Sequence, residues 1–277
     1  MEQDKIQDIE IELFLQGLYL RHGYDFRNYA KASLKRRVQA IAASLGVGRV
    51  SDLIPRVLYD ADYLPEILAQ LSVPVTEMFR DPVVFKTLCE TVFPMLRTYS
   101  RFNIWQAGCA TGEEVYSLAI LLKEAGLLDR AQIYATDIND KALQSAEDGI
   151  FSGRYLDVYQ RNYKAAGGKF DLSNYYVANA GFFRMHEYLR DKIVFAHHNL
   201  VSDGVFCEVQ LILCRNVLIY FNNALQKRVL ELFYQSLGRG GFLCLGTRES
   251  LRNVEAEHWF SVIDKDAMIF QKHGELD

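Results

Sequence analysis

None of the five cysteines in this 277-residue chain (Cys89, Cys109, Cys207, Cys214, Cys244) stands in a Cys-x-x-Cys pair or at a ligating interval from a histidine. That spacing excludes a zinc site of the usual kind and a disulfide framework, and it predicts reduced, mostly buried thiols. Long apolar runs are missing as well: nothing approaches the roughly 20 residues a bilayer demands. The opening Met-Glu-Gln-Asp-Lys lacks the basic-then-apolar layout of a signal peptide. The expectation is a cytoplasmic protein that is not membrane-inserted. There is no excess of one charge, since 31 Lys and Arg face 35 Asp and Glu for a net −4. No nucleic-acid partner is implied, and any basic surface must be local. With 50% hydrophobic and 24% charged residues the composition is that of an ordinary globular chain, long enough for two domains or for one with an appendage.

What is present centres on residues 102–119, Phe-Asn-Ile-Trp-Gln-Ala-Gly-Cys-Ala-Thr-Gly-Glu-Glu-Val-Tyr-Ser-Leu-Ala. Phe102 to Ala107 reads as a buried strand, and from Glu113 the apolar period becomes helical, through Leu118, Leu121 and Leu122. Gly108 and Gly112 mark the turn between them, where a backbone free of side chains lets a ligand approach the helix N-terminus. The turn lacks Gly-x-Gly-x-x-Gly, which disfavours a nicotinamide dehydrogenase. Glu113 and Glu114 in the first helical turn would repel a phosphate, so they point to a cationic or hydroxyl-bearing ligand such as the amino acid end of S-adenosylmethionine. Two acids there also complement the helix dipole, and the residues alone leave both readings open.

Residues 1–71 read as an all-helical domain. Ile9, Leu13, Leu15 and Leu18 give the first helix an apolar stripe before the break at His22-Gly23. The second helix, about 26–45, lines Ala30, Leu34, Val38, Ile41 and Leu45 along one face and carries Arg27, Lys31 and Lys35 on another, widened by Arg36 and Arg37. No acid occurs from Phe26 to Leu45, so Lys31, Lys35, Arg36 and Arg37 form either a solvated face or a docking surface for an acidic partner. Residues 72–82 form a connector punctuated by Pro74 and Pro82, with Arg80 as its candidate functional residue.

The remainder, 83–277, alternates strand and helix. A strand over 131–136 ends on Asp137, 25 residues beyond Gly112, where an acid is placed to accept hydrogen bonds from the two ribose hydroxyls of an adenosine. Asp137 is also placed to cap the next helix, a job Asn139 or Asp140 can do instead. Residues of about 150–192 break into Gly, Asn, Tyr and Phe with two short alternating runs, which predicts a small antiparallel insertion without a large core. Adjacent His197 and His198 point to opposite sides of a strand and read as structural. Strand ends at Gly108, Asp137, Asn199 and Asn216 fall on one edge of the sheet, and a hairpin closes the chain over 259–271.

These motifs, in this order, resemble the chemotaxis receptor methyltransferases of the CheR type. The matching pieces are Ser33-Leu-Lys-Arg-Arg37, Thr76-Glu-Met-Phe-Arg-Asp81, Gly108-Cys-Ala-Thr-Gly-Glu-Glu114 with Tyr116-Ser117, and Ala135-Thr-Asp-Ile138. Asn199-Leu200, Cys214-Arg-Asn-Val-Leu-Ile-Tyr-Phe221 and Leu245-Gly-Thr-Arg-Glu-Ser-Leu251 complete them. The resemblance implies a doubly wound α/β methyltransferase sheet of seven strands behind the helical domain, carrying an inserted β subdomain. It also implies S-adenosylmethionine as cofactor and glutamates in the cytoplasmic helical region of a chemoreceptor as substrate. Carried over residue by residue, Thr76, Arg80, Glu113, Asp137, Asn199, Leu200, Arg215 and Asn216 surround the cofactor, with Gly108 and Gly112 in its turn. Arg80 and Tyr220 lie nearest the transferred methyl. The chain departs from the family at Pro74, usually asparagine, and at Val115, usually proline. A non-catalytic cofactor-binding module and a methyltransferase for another acceptor are the alternatives; no metal is expected, and a monomer is.

Overall fold

The computed structural model describes residues 2–72, 76–251 and 256–273. Four helices open the chain: α1 (Glu2–His22), α2 (Lys31–Ser44), α3 (Leu53–Tyr59) and α4 (Leu64–Leu71). They close a core of their own around Phe14, Leu18, Phe26, Val38, Ile41, Leu53, Ile67 and Leu71. The helical period of α1 differs from the sequence expectation. Ile11, Phe14, Leu15 and Leu18 are buried, whereas Ile9 and Leu13 face solvent. Two apolar stripes run along α1, and a search for one stripe merges them.

Of the connector, Ser72 and residues from Thr76 onward are described; Pro74 lies outside the described residues. A helical stretch follows as α5 (Pro82–Thr87), a π turn over Leu88–Val92 and α6 (Phe93–Leu96). The α/β part then runs β1 (Phe102–Ala107), α7 (Glu113–Glu124), β2 (Ala131–Asp137) and α8 (Asp140–Asp148). The insertion follows with β3 (Ile150–Ser152), α9 (Leu156–Ala165), β4 (Tyr176–Asn179) and β5 (Phe182–Met185). The chain returns through α10 (Glu187–Arg190) to β6 (Ile193–His197), β7 (Val209–Cys214), α11 (Asn223–Ser236), β8 (Leu237–Leu245), β9 (Phe260–Asp264) and β10 (Ile269–Lys272).

The main sheet has seven strands in the order β6-β2-β1-β7-β8-β10-β9. All neighbours are parallel except at β10, which is antiparallel to both β8 and β9. The order reverses between β1 and β7, which opens a crevice at their carboxyl ends, where open α/β sheets bind ligands. Burial explains why these strands read as continuous apolar runs: β1 is sandwiched between two cores, with Ile104 in one and Trp105 in the other. Trp105 is fully buried and satisfies its indole N–H on Thr136 Oγ1 at 2.9 Å. β8 begins at Leu237, and Gly238 to Gly241 run within the strand.

The insertion is a three-stranded sheet in the order β3-β5-β4, as expected, but it is not coreless. Phe151, Tyr159, Tyr163, Leu172, Tyr175, Phe183 and Met185 are buried and continuous with the core of the main domain. Aromatic residues spaced along α9 supply this packing, and a search for aliphatic periodicity passes over them. The Glu124 carboxylate binds them to α7, accepting from the hydroxyls of Tyr163 and Tyr175, the latter at 2.8 Å, and from Lys169 N at 3.0 Å.

The helical part is tied to the sheet beside the crevice. Ala30 N donates to Tyr220 O at 2.7 Å and Asn222 N to Asn28 O at 2.8 Å, forming a single bridge between Tyr29 and Phe221. The two rings meet edge-on at 4.9 Å.

Candidate active site

A cleft of about 930 Å³, counting its open mouth, lies over the carboxyl ends of β1, β2 and β7. Its walls come from three sources: the strand-end loops, the connector (Ser72, Thr76, Arg80) and the helical part (Tyr29, Arg37). The volume suits a cofactor-sized ligand.

The turn after β1 forms one wall. Gly108 N and Cys109 N both donate to Thr136 O, at 2.8 and 2.9 Å, which bends the chain over β2. Gly108 has φ +71°, and a Cβ there would lie 2.5 Å from Val217 Cγ2, so only glycine fits. Ala110, also at positive φ, donates its N–H to Asp137 Oδ2 at 2.9 Å, while Asp137 Oδ1 accepts from Asn139 N at 2.9 Å. Asn139 itself caps α8 through Lys141 N and Ala142 N, which leaves Asp137 free of that task. Burial raises the Asp137 carboxyl above the ordinary aspartate value, and the N–H donors of Ala110 and Asn139 restrain the rise. Each oxygen keeps a lone pair for a further donor.

A buried polar chain forms the floor. Gln106, near the end of β1, donates Nε2 to Glu114 Oε1 at 2.7 Å, and Arg215 Nη1 donates to Glu114 Oε2. Arg215 Nη2 reaches Asp81 Oδ2 at 2.8 Å. Burial opposes the Arg215 charge, but Glu114 and Asp81 outweigh it and hold the guanidinium firmly protonated. Two atoms of this chain stay unpartnered among the described residues, the acceptor Gln106 Oε1 and the donor Arg215 Nε. A buried acceptor and a buried donor left open in one cleft match the ammonium and carboxylate of an amino acid. Asp137 supplies the acceptor for hydroxyls at another point of the same cleft. The residues therefore fit the two polar ends of S-adenosylmethionine.

Arg80 is held in place by its neighbours. Phe79 and Asp81 both adopt positive φ (53° and 54°), a strained backbone of the kind that clusters at functional sites. Phe79 is buried against Phe85 and Tyr163, its N–H donates to Ser117 Oγ at 2.9 Å, and Asn162 of α9 donates to Met78 O at 3.2 Å. The turn is clamped from three elements while the half-buried Arg80 side chain makes no hydrogen bond or ion pair among the described residues. Across the cleft, Glu249 anchors the loop after β7, accepting from Gly246 N, Asn216 N and Ile219 N at 2.6, 3.1 and 3.3 Å. That loop carries Asn216 (φ 60°) and Tyr220.

Thr76, Arg80, Gly108, Asp137, Asn199, Leu200, Arg215, Asn216 and Tyr220 all line the cleft. Gly112 and Glu113 stand behind the wall. Gly112 (φ +92°) packs against α8, where a Cβ would lie 2.8 Å from Ala146 Cβ, and Glu113 accepts from Thr111 Oγ1 at 2.6 Å. Glu114, not Glu113, reaches the cleft, because one step along a helix turns the side chain by about 100°. Of the basic residues, Lys31 and Arg36 are exposed, and Lys35 pairs with Asp8 at 2.7 Å. Arg37 departs from the expected docking face. It is buried, bonded to Leu71 O and Ser33 Oγ, and its guanidinium lies 4.8 Å from the Tyr220 ring centre. It braces the cleft from the helical side, and burial lowers its pKa. His197 pairs with Asp140, and His198 packs its ring on Trp105 at 5.1 Å, consistent with structural roles, although His198 also borders the cleft. Gln106 escaped the sequence reading; its signal is a lone amide inside the apolar run of β1. No cluster of potential metal ligands occurs among the described residues, and no described helix is long and apolar enough to cross a membrane.

Comparison with known proteins follows the same division. Residues 74–269 match the SAM binding domain of CheR methyltransferases and residues 9–72 match their all-alpha domain. The Cher3 protein of Pseudomonas putida, which bears the name of a methyltransferase, is 47% identical over 98% of this chain and 100% of its own length. An uncharacterised 104.1 kDa protein of Rhodobacter capsulatus is 32% identical over 89% of this chain, which spans 26% of that protein. The chemotaxis protein methyltransferase of Listeria monocytogenes is 28% identical over 83% of this chain and 86% of its own. The cofactor is S-adenosylmethionine, and the chain belongs to the CheR family of methyltransferases.

Proposed function

We propose that this protein forms methyl esters on glutamate side chains in the cytoplasmic helical region of a chemoreceptor. The observation that carries the reading is Arg80, a guanidinium unpaired among the described residues, on a clamped, strained turn in the wall of the cofactor cleft. Bound S-adenosylmethionine supplies an activated methyl whose bond to sulfur breaks with its electron pair as a carboxylate oxygen attacks. A glutamate, with a reference pKa of about 4.3, is already ionised at neutral pH, so the protein needs no general base. Its task is alignment, which in favourable cases lowers a barrier by roughly 7–11 kcal/mol. Arg80 holds the substrate carboxylate by charge and Tyr220 orients it from the opposite loop. Gln106, Arg215 and Asp137 fix the cofactor beneath. An amine nucleophile would gain nothing from a neighbouring guanidinium, which disfavours nitrogen acceptors. The exposed Lys31 and Arg36 serve as docking cations for an acidic receptor helix.

The test is transfer of labelled methyl to receptor-containing membranes, followed by mild alkali. An ester releases its label as methanol and a methylated amine does not. Alkali-labile label that falls at least a hundredfold in Arg80→Ala, by more than any loss of product affinity, is the expected result. Alkali-stable label, or turnover of the variant within twofold of wild type, refutes the assignment.

A further inference from the structure

α1 carries a second apolar stripe that the fold does not use. Ile6, Ile9, Leu13 and Leu20 are 56%, 57%, 55% and 71% exposed. They follow steps of three, four and seven residues, with Gln16 filling the heptad position between Leu13 and Leu20. This is the a/d spacing of a helix seam. At about 100° per residue the stripe centres almost opposite the buried set Ile11, Phe14, Leu15 and Leu18, so it points away from the helical core. Isolated exposed apolar residues need no explanation, but four in heptad register on one helix face make a contiguous patch, which marks an interaction site.

Charge along α1 indicates the occupant. Asp4, Asp8, Glu10 and Glu12 fill its first half against Lys5 alone, Asp8 being paired with Lys35 of α2, whereas residues 13–22 contain no acid and end on Arg21 and His22. Two copies laid parallel would set acid against acid. Two copies laid antiparallel set the acidic half of each on the basic end of the other while the heptad stripes meet between them. We infer that the exposed face of α1 is a two-fold, antiparallel dimer interface between two copies of this chain, in place of the monomer the sequence led us to expect. The interface is isologous, as in most homodimers. A single helix face offers fewer residues than the 20–30 per side of a standard interface, so self-association belongs in the micromolar range and weakens with salt. None of these four residues lines the cleft, and the inference does not depend on the methyl acceptor.

Sedimentation of the full-length protein from low to several hundred micromolar tests it. The expected result is a concentration-dependent dimer whose dissociation constant rises about tenfold or more in Leu13→Glu, with thermal midpoint and product binding unchanged. Orientation is read separately, with no burial of charge. A mixture of Ile9→Cys and Leu20→Cys proteins should cross-link to each other faster than either does to itself. A wild-type monomer at the highest concentration, a dimer indifferent to Leu13→Glu, or preferential Ile9→Cys self-linking would overturn the proposal. So would an unchanged monomer in which Leu13→Glu abolishes association with receptor membranes, since that assigns the face to the substrate.

Discussion

Replacement of Glu114 by glutamine removes the enclosed counter-charge of Arg215 and little else. The Arg215 side chain is wholly buried and its two partners differ in exposure, Glu114 being 9% and Asp81 37% exposed. Removing one member of a buried pair leaves a charge without compensation and costs about 3–5 kcal/mol. The surviving contact to Asp81, open to solvent, recovers about 1 kcal/mol of this. Gln106 can turn its amide so that the free Oε1 accepts from the new side-chain N–H, which keeps the hydrogen-bond count and isolates the electrostatic loss. The net expectation is about 2–4 kcal/mol, which in a chain of this size lowers the thermal midpoint by roughly 5–15 °C. Asp81→Asn, acting on the solvent-exposed partner, should cost about 1 kcal/mol or less. Differential scanning fluorimetry on the two variants, each with and without S-adenosylhomocysteine, measures both quantities. The product should stabilise Glu114→Gln less than wild type, because the floor of the cleft is disturbed. A Glu114→Gln midpoint within 2 °C of wild type, or equal losses in the two variants, would refute the account of Arg215 as a buried charge held mainly by Glu114.

Other outcomes follow from the same geometry. Asp137→Asn loses hydroxyl contacts and sets an amide against a backbone N–H, so calorimetry should show product binding weakened about 10–100-fold, equivalent to roughly 1.4–2.7 kcal/mol. In the wild type those contacts need the ionised carboxylate, whose pKa is raised by burial. Affinity is therefore complete above that raised pKa and lost as pH falls through it, beginning above the ordinary aspartate range; the asparagine variant should lack this acid limb. Reversal of Lys31 and Arg36 to glutamate should raise the KM for receptor several-fold and leave product affinity unchanged, and an unchanged KM would remove the docking role. Gly112→Ala combines positive φ with a 2.8 Å approach to Ala146 and should destabilise by about 1–3 kcal/mol on chemical denaturation, with little specific effect on cofactor contacts.

The strand ends were legible in the sequence because glycine, acid and asparagine interrupt long apolar runs there. Gly108, Asp137, Asn199 and Asn216 stand on one edge of the sheet as their spacing predicts. What escaped depends on rotation and on partners distant in sequence. Adjacent glutamates look alike in a helical turn, and only the docking of α7 beside β7 decides that Glu114 meets Arg215, 101 residues away. Arg37 sits among exposed cations in the sequence, yet packing of α2 against the Tyr220 loop turns it inward. The stripe of α1 failed for a related reason: a helix apolar on two opposite faces has no single preferred direction for periodicity to find. In α9, tyrosines at 159 and 163 look like surface residues until Phe183 packs on the first and Phe79 and Glu124 reach the second from other parts of the chain.

The backbone bonds joining residues 28–30 to 220–222 hold the helical part beside the mouth of the cleft. Swinging the helical part away would break both bonds beside Tyr220, at about 0.5–1.5 kcal/mol each, and separate the rings of Tyr29 and Phe221. The standing mouth of the cleft is the exit that needs neither bond broken. On the proposed function, a receptor helix lying on Lys31 and Arg36 with its glutamate at Arg80 would cover that mouth, so the methylated receptor would leave before the spent cofactor and each further glutamate would need a new docking event.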